Sequence, residues 1–292
     1  MKIAIASGKG GTGKTLVSTA LFHSLMTNGR KVILADCDAE EPNACVFFET
    51  REEEKREVTQ KVPVIATENC TFCGRCHEVC NYNAIFYLPP AGIIQVIEDL
   101  CHGCGACSWA CKEGAISEKE VVLGKVSSFS TNNGYTLLEG RMKTGVFSPV
   151  ATIKETVRKA ALQDLEIILL DAPPGTSCPF IQTVAQAGYV ILVAEPTPFG
   201  LSDLRQSVNT LKTMNIPFGV IINKAGLGDD RIKDYLKTED IELLMEIPFS
   251  RKIAENYAGG KLLTETEPKW QPEFVNMFEH INLRYGNRHN QR

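Results

Sequence analysis

Two groups of residues in this chain have types and spacing that could do chemistry. The first is Gly8-Lys9-Gly10-Gly11-Thr12-Gly13-Lys14-Thr15, a glycine, four residues, then glycine-lysine-threonine. Glycines in such a loop let backbone N–H groups turn inward around an anion with no Cβ in the way. A helix starting at the loop's end adds the positive pole of its dipole. In that geometry Lys14 reaches the β- and γ-phosphates of a nucleotide and the Thr15 hydroxyl binds Mg²⁺. The second group is cysteine. Cys70-x2-Cys73-x2-Cys76-x3-Cys80 is repeated as Cys101-x2-Cys104-x2-Cys107-x3-Cys111, and Ala84-Ile85 and Ala115-Ile116 follow at matching distances.

Thiolates packed this densely bind soft metal, as zinc or as iron–sulfur. Structural zinc usually takes cysteine pairs split by a longer loop. Three close cysteines plus a fourth, given twice, match a two-cluster ferredoxin, in which the fourth cysteine of each run ligates the other cluster. Cys70, Cys73, Cys76 and Cys111 are then expected to hold one [4Fe–4S] cluster, and Cys101, Cys104, Cys107 and Cys80 the other. The proline usual after the fourth cysteine is Asn81 in one run and Lys112 in the other. Neither position supplies a ligand. Each replacement restores a backbone N–H and Lys112 adds a charge, changes that favour the reduced cluster. His77 and His102 read as surface or supporting groups, since sulfur already fills every ligand position. Cys37 and Cys45 read as small buried hydrophobes.

The elements that must position these groups follow from the apolar pattern. Ile3-Ala4-Ile5-Ala6 reads as a buried strand entering the glycine loop, and a helix is expected from Lys14 to Met26. Lys31 to Asp36 is a second strand, ending in Asp36-Cys37-Asp38. Acids at such a strand end handle metal and water beside a phosphate loop, or else form a turn. Glu166 to Asp171 is an apolar strand followed by Ala172-Pro173-Pro174-Gly175-Thr176. This is Walker B in form, with Asp171 set to hold Mg²⁺ through water. Further strands at 190–194, 218–223 and 243–247 alternate with helices at 201–214 and 230–236 and near the carboxyl end. That rhythm predicts an α/β fold with a mostly parallel, doubly wound sheet. The run Arg51 to Glu57 reads as a solvated boundary, with short strands near 121–123 and 135–138 returning the chain to the main sheet. The expected division is residues 1–56 and 121–292 for the nucleotide domain, and 57–120 for an inserted ferredoxin-type domain. The tail from about Tyr285 reads as polar and frayed.

A chain of 292 residues is long enough for one large domain and one small one. Its net charge of −4 offers no footprint for nucleic acid. Apolar runs fall short of the roughly 18 residues a membrane helix needs, and the amino terminus lacks a signal-peptide layout. A cytoplasmic protein is expected, where thiols stay reduced and eleven cysteines are unlikely to be disulfides.

Lys9, straight after the first glycine, gives Lys9-Gly10-Gly11-Thr12-Gly13-Lys14-Thr15, which resembles the deviant Walker A motif of the MinD/ParA superfamily. That superfamily includes the nitrogenase iron protein and the Mrp-type cluster carriers. The resemblance covers residues 1 to about 56 and 121 to about 265, and the binding set it implies is Gly8 to Thr15 with ATP and Mg²⁺. It makes Asp36-x-Asp38 the first switch, with Asp38 orienting the attacking water. Asp171 to Gly175 becomes Walker B and the second switch, and Thr15, Asp36 and Asp171 the Mg²⁺ set. Asn223-Lys224 matches an adenine-side loop, and Pro248-Phe249-Ser250 a segment near it. Lys9 would reach across an ATP sandwich dimer, of identical chains or with a paralogue, as an arginine finger does. Lys9, Lys14 and Asp38 are then the catalytic residues.

Two functions follow from these implications. One is an ATPase whose dimer gates electron transfer through the clusters to a redox partner; the alternative is ATP-dependent maturation, delivery or positioning of clusters for an acceptor. Two full ligand sets leave no open site, which favours electron transfer. Membrane patterning is disfavoured, because the last residues, Glu273 to Arg292, lack a basic amphipathic face. In the nitrogenase iron protein a cysteine placed like Cys178 ligates a shared cluster, but that needs a second cysteine between Val121 and Asp171, where this chain has none. Cys178 is therefore expected either as a free thiol near the dimer axis or as an inert one at a helix start near Pro179.

Overall fold

The computed structural model describes residues 1–163 and 165–286; the expectation for the tail beyond residue 286 lies outside the described residues. The chain runs through β1 (Lys2–Ala6), α1 (Lys14–Thr27), β2 (Val32–Asp36) and β3 (Thr50–Ile65). Next come α2 (Arg75–Glu78), β4 (Ile85–Leu88), β5 (Ile93–Val96), α3 (Ala106–Ala110), β6 (Ile116–Thr131) and β7 (Thr136–Met142). The rest is α4 (Val150–Ala161), β8 (Ile167–Asp171), α5 (Cys178–Val184), β9 (Tyr189–Ala194), α6 (Pro198–Thr213) and β10 (Phe218–Ala225). It closes with α7 (Arg231–Thr238), β11 (Leu243–Pro248), α8 (Arg251–Ala258), α9 (Leu263–Thr266) and α10 (Trp270–Tyr285).

Nine strands form one sheet in the order β11-β10-β9-β1-β8-β2-β7-β6-β3, and β11 through β7 pair in parallel. Strands β2, β8 and β9 are buried along their whole length, which is why they read as continuous apolar runs. Register then does what sequence order cannot. Ile5 pairs with Asp171 and Asp36 pairs with Asp171, so the end of β1 and both acids meet at the carboxyl edge of the sheet. β1 lies between β8 and β9, so the order of connection reverses beside it, the usual place for a ligand in an open α/β sheet. Helix α1 is buried along most of its length, with Phe22 and Leu25 in a common core with Phe274, Phe278 and Ile281 of α10. Among the described residues no helix is long and apolar enough to cross a membrane.

The chain divides into two compact units. One takes in Met1–Arg56, Val126–Arg141 and Val150–Arg292; the other Glu57–Lys125 and Met142–Pro149. The charged run at 51–57 is not a loop but the first half of β3, with its side chains in solvent. β3 is an edge strand, where exposed charge suits the free edge and hides the period-two pattern that would have revealed it. Likewise β6 begins at Ile116, ahead of the residues near Val121 where a strand is first legible.

Within the second unit the cysteine repeat becomes a structural repeat. Each run begins after a short 3₁₀ turn, Thr67–Asn69 or Glu98–Leu100, and leads into a one-turn helix, α2 or α3. The Ala-Ile pairs close the repeat on itself. Ala66 donates to the Ala115 carbonyl at 2.8 Å and Ile97 to the Ala84 carbonyl at 2.7 Å, with Ala84, Ile85 and Ala115 buried.

Candidate functional site

In the first unit the loop from Ser7 to Gly13 joins β1 to α1, with Gly11 and Gly13 at φ +76° and +96°. A Cβ at Gly13 would stand 2.2 Å from Asn223 Nδ2, and one at Gly8 would stand 2.4 Å from the Asp203 carbonyl oxygen. Both positions therefore require glycine for the loop to pass so close to β10 and α6. Beside the loop opens a cleft of about 430 Å³, whose lining includes Gly11, Lys14, Thr15, Asp38, Asn223 and Tyr257.

Asp171 ends β8 at 1 % exposure, and neither of its carboxylate oxygens has a hydrogen-bond partner of ordinary geometry. Burial raises its pKa, while the Lys14 ammonium and the nearby Thr15 and Ser18 hydroxyls favour its charged form. Two orphaned carboxylate oxygens next to a threonine hydroxyl are a donor set for a hard divalent cation or its water shell. Thr15 and Asp171 thus fit Mg²⁺.

Asp36, the third residue expected in the metal set, is held by the backbone of its own turn. Its Oδ2 accepts from the Asn43 and Ala44 amides, each at 2.9 Å, and its Oδ1 accepts from the Asp38 amide at 3.1 Å. These bonds shape the turn after β2 and offset part of the cost of a carboxylate that burial and Asp171 push well above its usual range. Asp38 faces the cleft instead, with a buried Oδ1 that has no partner. Burial raises its pKa to about 6 against the pull of Lys14, and Asp171 adds to the rise.

Asn223 has both ends of its carboxamide engaged. Nδ2 donates to the Thr12 carbonyl at 2.8 Å and Oδ1 accepts from the Lys224 amide at 2.9 Å. In this state it holds the loop. Lys224, at φ +56°, donates to the Gly11 carbonyl at 3.0 Å and pairs with Glu195 at 3.2 Å. Lys9 pairs with the same carboxylate at 3.0 Å.

In the second unit the thiols gather at two narrow clefts. One is lined by Cys70, Cys73, Cys76 and Cys111, the other by Cys80, Cys101, Cys104 and Cys107. Each set has three thiols from one run and the last from the other. Backbone amides point at the sulfurs: Phe72 at Cys70 (3.4 Å), Gly103 at Cys101 (3.4 Å) and Ala84 at Cys80 (3.3 Å). Phe72 and Gly103 occupy equivalent places and both are left-handed, as are Gly74 and Gly105 ahead of the one-turn helices. Among the described residues no three Cys, His, Asp or Glu side chains converge to hold a single ion. A four-iron cluster asks for something else, one thiolate on each of four irons around a cavity. His77 bonds the Ile85 carbonyl through Nδ1 at 2.7 Å, and His102 stacks on Tyr82 with centroids 3.8 Å apart.

The sequence profile of the CobQ/CobB/MinD/ParA nucleotide binding domain matches residues 3–263. The chain belongs to that family. An uncharacterised protein of Methanocaldococcus jannaschii is 33% identical over 264 residues, 89% of this chain and 90% of the relative. An iron-sulfur cluster carrier protein of Pseudomonas fragi is 24% identical, over 91% of this chain and 79% of its own length. Among solved structures, the septum site-determining protein MinD of Pyrococcus horikoshii, complexed with Mg-ADP, aligns with a TM-score of 0.59 at 18% identity. The alignment covers 97% of this chain and 96% of that one.

Within this CobQ/CobB/MinD/ParA fold the structure brings Gly10, Gly11, Gly13, Lys14, Thr15, Asp38 and Asn223 to one cleft, together with Pro248, Phe249 and Ser250. Gly8, Lys9 and Thr12 line a smaller recess on the other side of the loop, against β9 and α6. Cys37 is fully buried, Cys45 half-buried, and Cys178 exposed as the first residue of α5. Two participants were missed in the sequence. Tyr257 on α8 packs against Phe47 with centroids 4.8 Å apart and ring planes tilted by 31°, and lines the cleft, but its spacing is that of any core aromatic. Glu195 had a signal: like Asp36 and Asp171 it is an acid at the carboxyl end of an apolar strand.

Proposed function

We propose that this chain is an ATPase that uses its nucleotide cycle to mature or deliver iron–sulfur clusters held on its second unit. The observation that carries the reading is the presence in one chain of a phosphate loop beside an orphaned Asp171 and of two clefts with four thiols each. The carrier protein among the relatives supports cluster handling over a generic nucleotide switch. So does the exposure of Cys73 and Cys104, one thiol in each set, where an incoming acceptor thiol can exchange.

In the proposed reaction the loop amides and Lys14 hold the β- and γ-phosphates, and Thr15 and Asp171 hold Mg²⁺. Bound there, Mg²⁺ would neutralise part of the phosphates' charge. Asp38 orients the attacking water, and Lys9 supplies a cation in trans across an ATP-bound dimer.

Electron transfer is the second reading, favoured by the fact that each cleft holds a complete four-thiol set. One experiment separates them. The reconstituted protein is incubated anaerobically with an apo-ferredoxin, with and without ATP, and iron is followed on both proteins. Loss from this chain with gain on the acceptor, faster with ATP, supports delivery. Constant iron on this chain with apo-ferredoxin, together with ATP-dependent passage of electrons from a reductant through the chain to a cluster-loaded ferredoxin in a parallel assay, overturns it in favour of electron transfer.

A further inference from the structure

Glu195 follows β9 and its carboxylate is mostly buried, with a side chain only 13% exposed. Each of its oxygens takes a different lysine: Oε1 the Lys9 ammonium at 3.0 Å and Oε2 the Lys224 ammonium at 3.2 Å. Lys224 also donates to the Gly11 carbonyl, so the three side chains and the loop backbone from Lys9 to Gly11 form one closed circuit. Among the charged groups of the loop, Lys9 is thus turned back onto its own chain.

We infer that Glu195 is a positioning residue that parks Lys9 in the single chain and so sets how readily an ATP-bound dimer forms. This rests on the in-trans role of Lys9 proposed above. A lysine that must reach a second chain's phosphates has first to leave Glu195, and the cost of breaking that ion pair opposes association. Lys224 stays behind as the second cation, so the carboxylate is never left alone in its buried position. The phosphates of the partner chain's nucleotide then replace the Glu195 carboxylate as the counter-charge of Lys9. Glu195 touches no reacting atom; it acts through Lys9.

The test is ATP turnover per chain measured across a range of protein concentrations, for the parent, Glu195→Gln and Glu195→Asp. In parallel, affinity for a fluorescent ATP analogue is measured at concentrations below association. Gln keeps the shape and removes the charge, so the concentration for half-maximal turnover is expected to fall about threefold to tenfold, the scale of one part-buried charged interaction. Analogue affinity should stay within about twofold, because Glu195 does not line the nucleotide cleft. Glu195→Asp, which keeps the charge, should lie nearer the parent. An unchanged or higher half-maximal concentration in Glu195→Gln overturns the parking role. So does a fall in turnover that merely tracks a fall in analogue affinity, which would mark Glu195 as a structural brace. Turnover per chain that is independent of concentration in the parent itself overturns the dimer reading, and the parking role with it.

Discussion

Asp38 and Asp171 sit in a folded chain that disfavours their charge, chiefly through burial, which singles both out as candidate site residues. For Asp38 the consequence can be followed through pH. Its pKa is about 6 in the folded chain against 3.8 for a free aspartate, so between those values the folded chain holds a proton that the unfolded chain has released. Stability of the nucleotide-free protein from this group therefore falls as pH rises through that window. Asp38→Asn should melt higher than the parent at pH 7.5, with the gain fading as pH drops towards 4, as read by thermal unfolding. The same variant should bind ATP and stall, and normal turnover would remove its role with water. The two lysines should separate cleanly. Lys14→Ala loses nucleotide binding in a titration, whereas Lys9→Ala keeps it and loses roughly a thousandfold in turnover, the lower end of what an in-trans cation contributes. Parent-like hydrolysis in Lys9→Ala would sink the sandwich-dimer assignment.

At the scale of elements, the crossing of the two cysteine runs makes a prediction that a simple count of cysteines does not. Cys70 and Cys111 line one cleft, while Cys70 and Cys80 belong to one run but line different clefts. The double variant Cys70→Ser, Cys111→Ser should drop iron from about eight to about four atoms per chain, since one four-iron cluster is lost and the other spared. Cys70→Ser with Cys80→Ser should damage both clusters. Iron analysis of the anaerobically purified proteins decides it, and the reverse ranking would mean that each run holds its own cluster. Stoichiometric zinc in the parent would remove the clusters altogether.

For the whole molecule the informative probe is Cys178, exposed at the start of α5 and shortly after Asp171 at the end of β8. If ATP brings two chains together over this face, alkylation of Cys178 should slow with a nonhydrolysable ATP analogue relative to ADP. Lys9→Ala should erase the difference. Equal rates with the two nucleotides in the parent would place Cys178 away from any ATP-dependent contact.

The local sequence was enough for the glycine-rich loop between β1 and α1, the acid that ends β8 and the two cysteine runs, because each of these is a fixed spacing within a single turn or strand end. The alternation of apolar strands with helices was equally legible, since parallel strands buried on both faces leave continuous apolar runs. What the sequence could not hold was anything set by pairing at a distance. Asp36 and Asp38 look alike along the chain; only the fold gives one carboxylate three amides of its own turn and leaves the other with a buried, unpartnered oxygen. Asn223 became a brace on Thr12 because β10 passes within contact of a glycine at position 13. β3 was hidden by its own charges, which are stable only because that strand ends the sheet. Glu195 acquired its two lysines in the same way: Lys9, Glu195 and Lys224 are far apart in the chain and meet because β1, β9 and β10 are neighbours in the sheet.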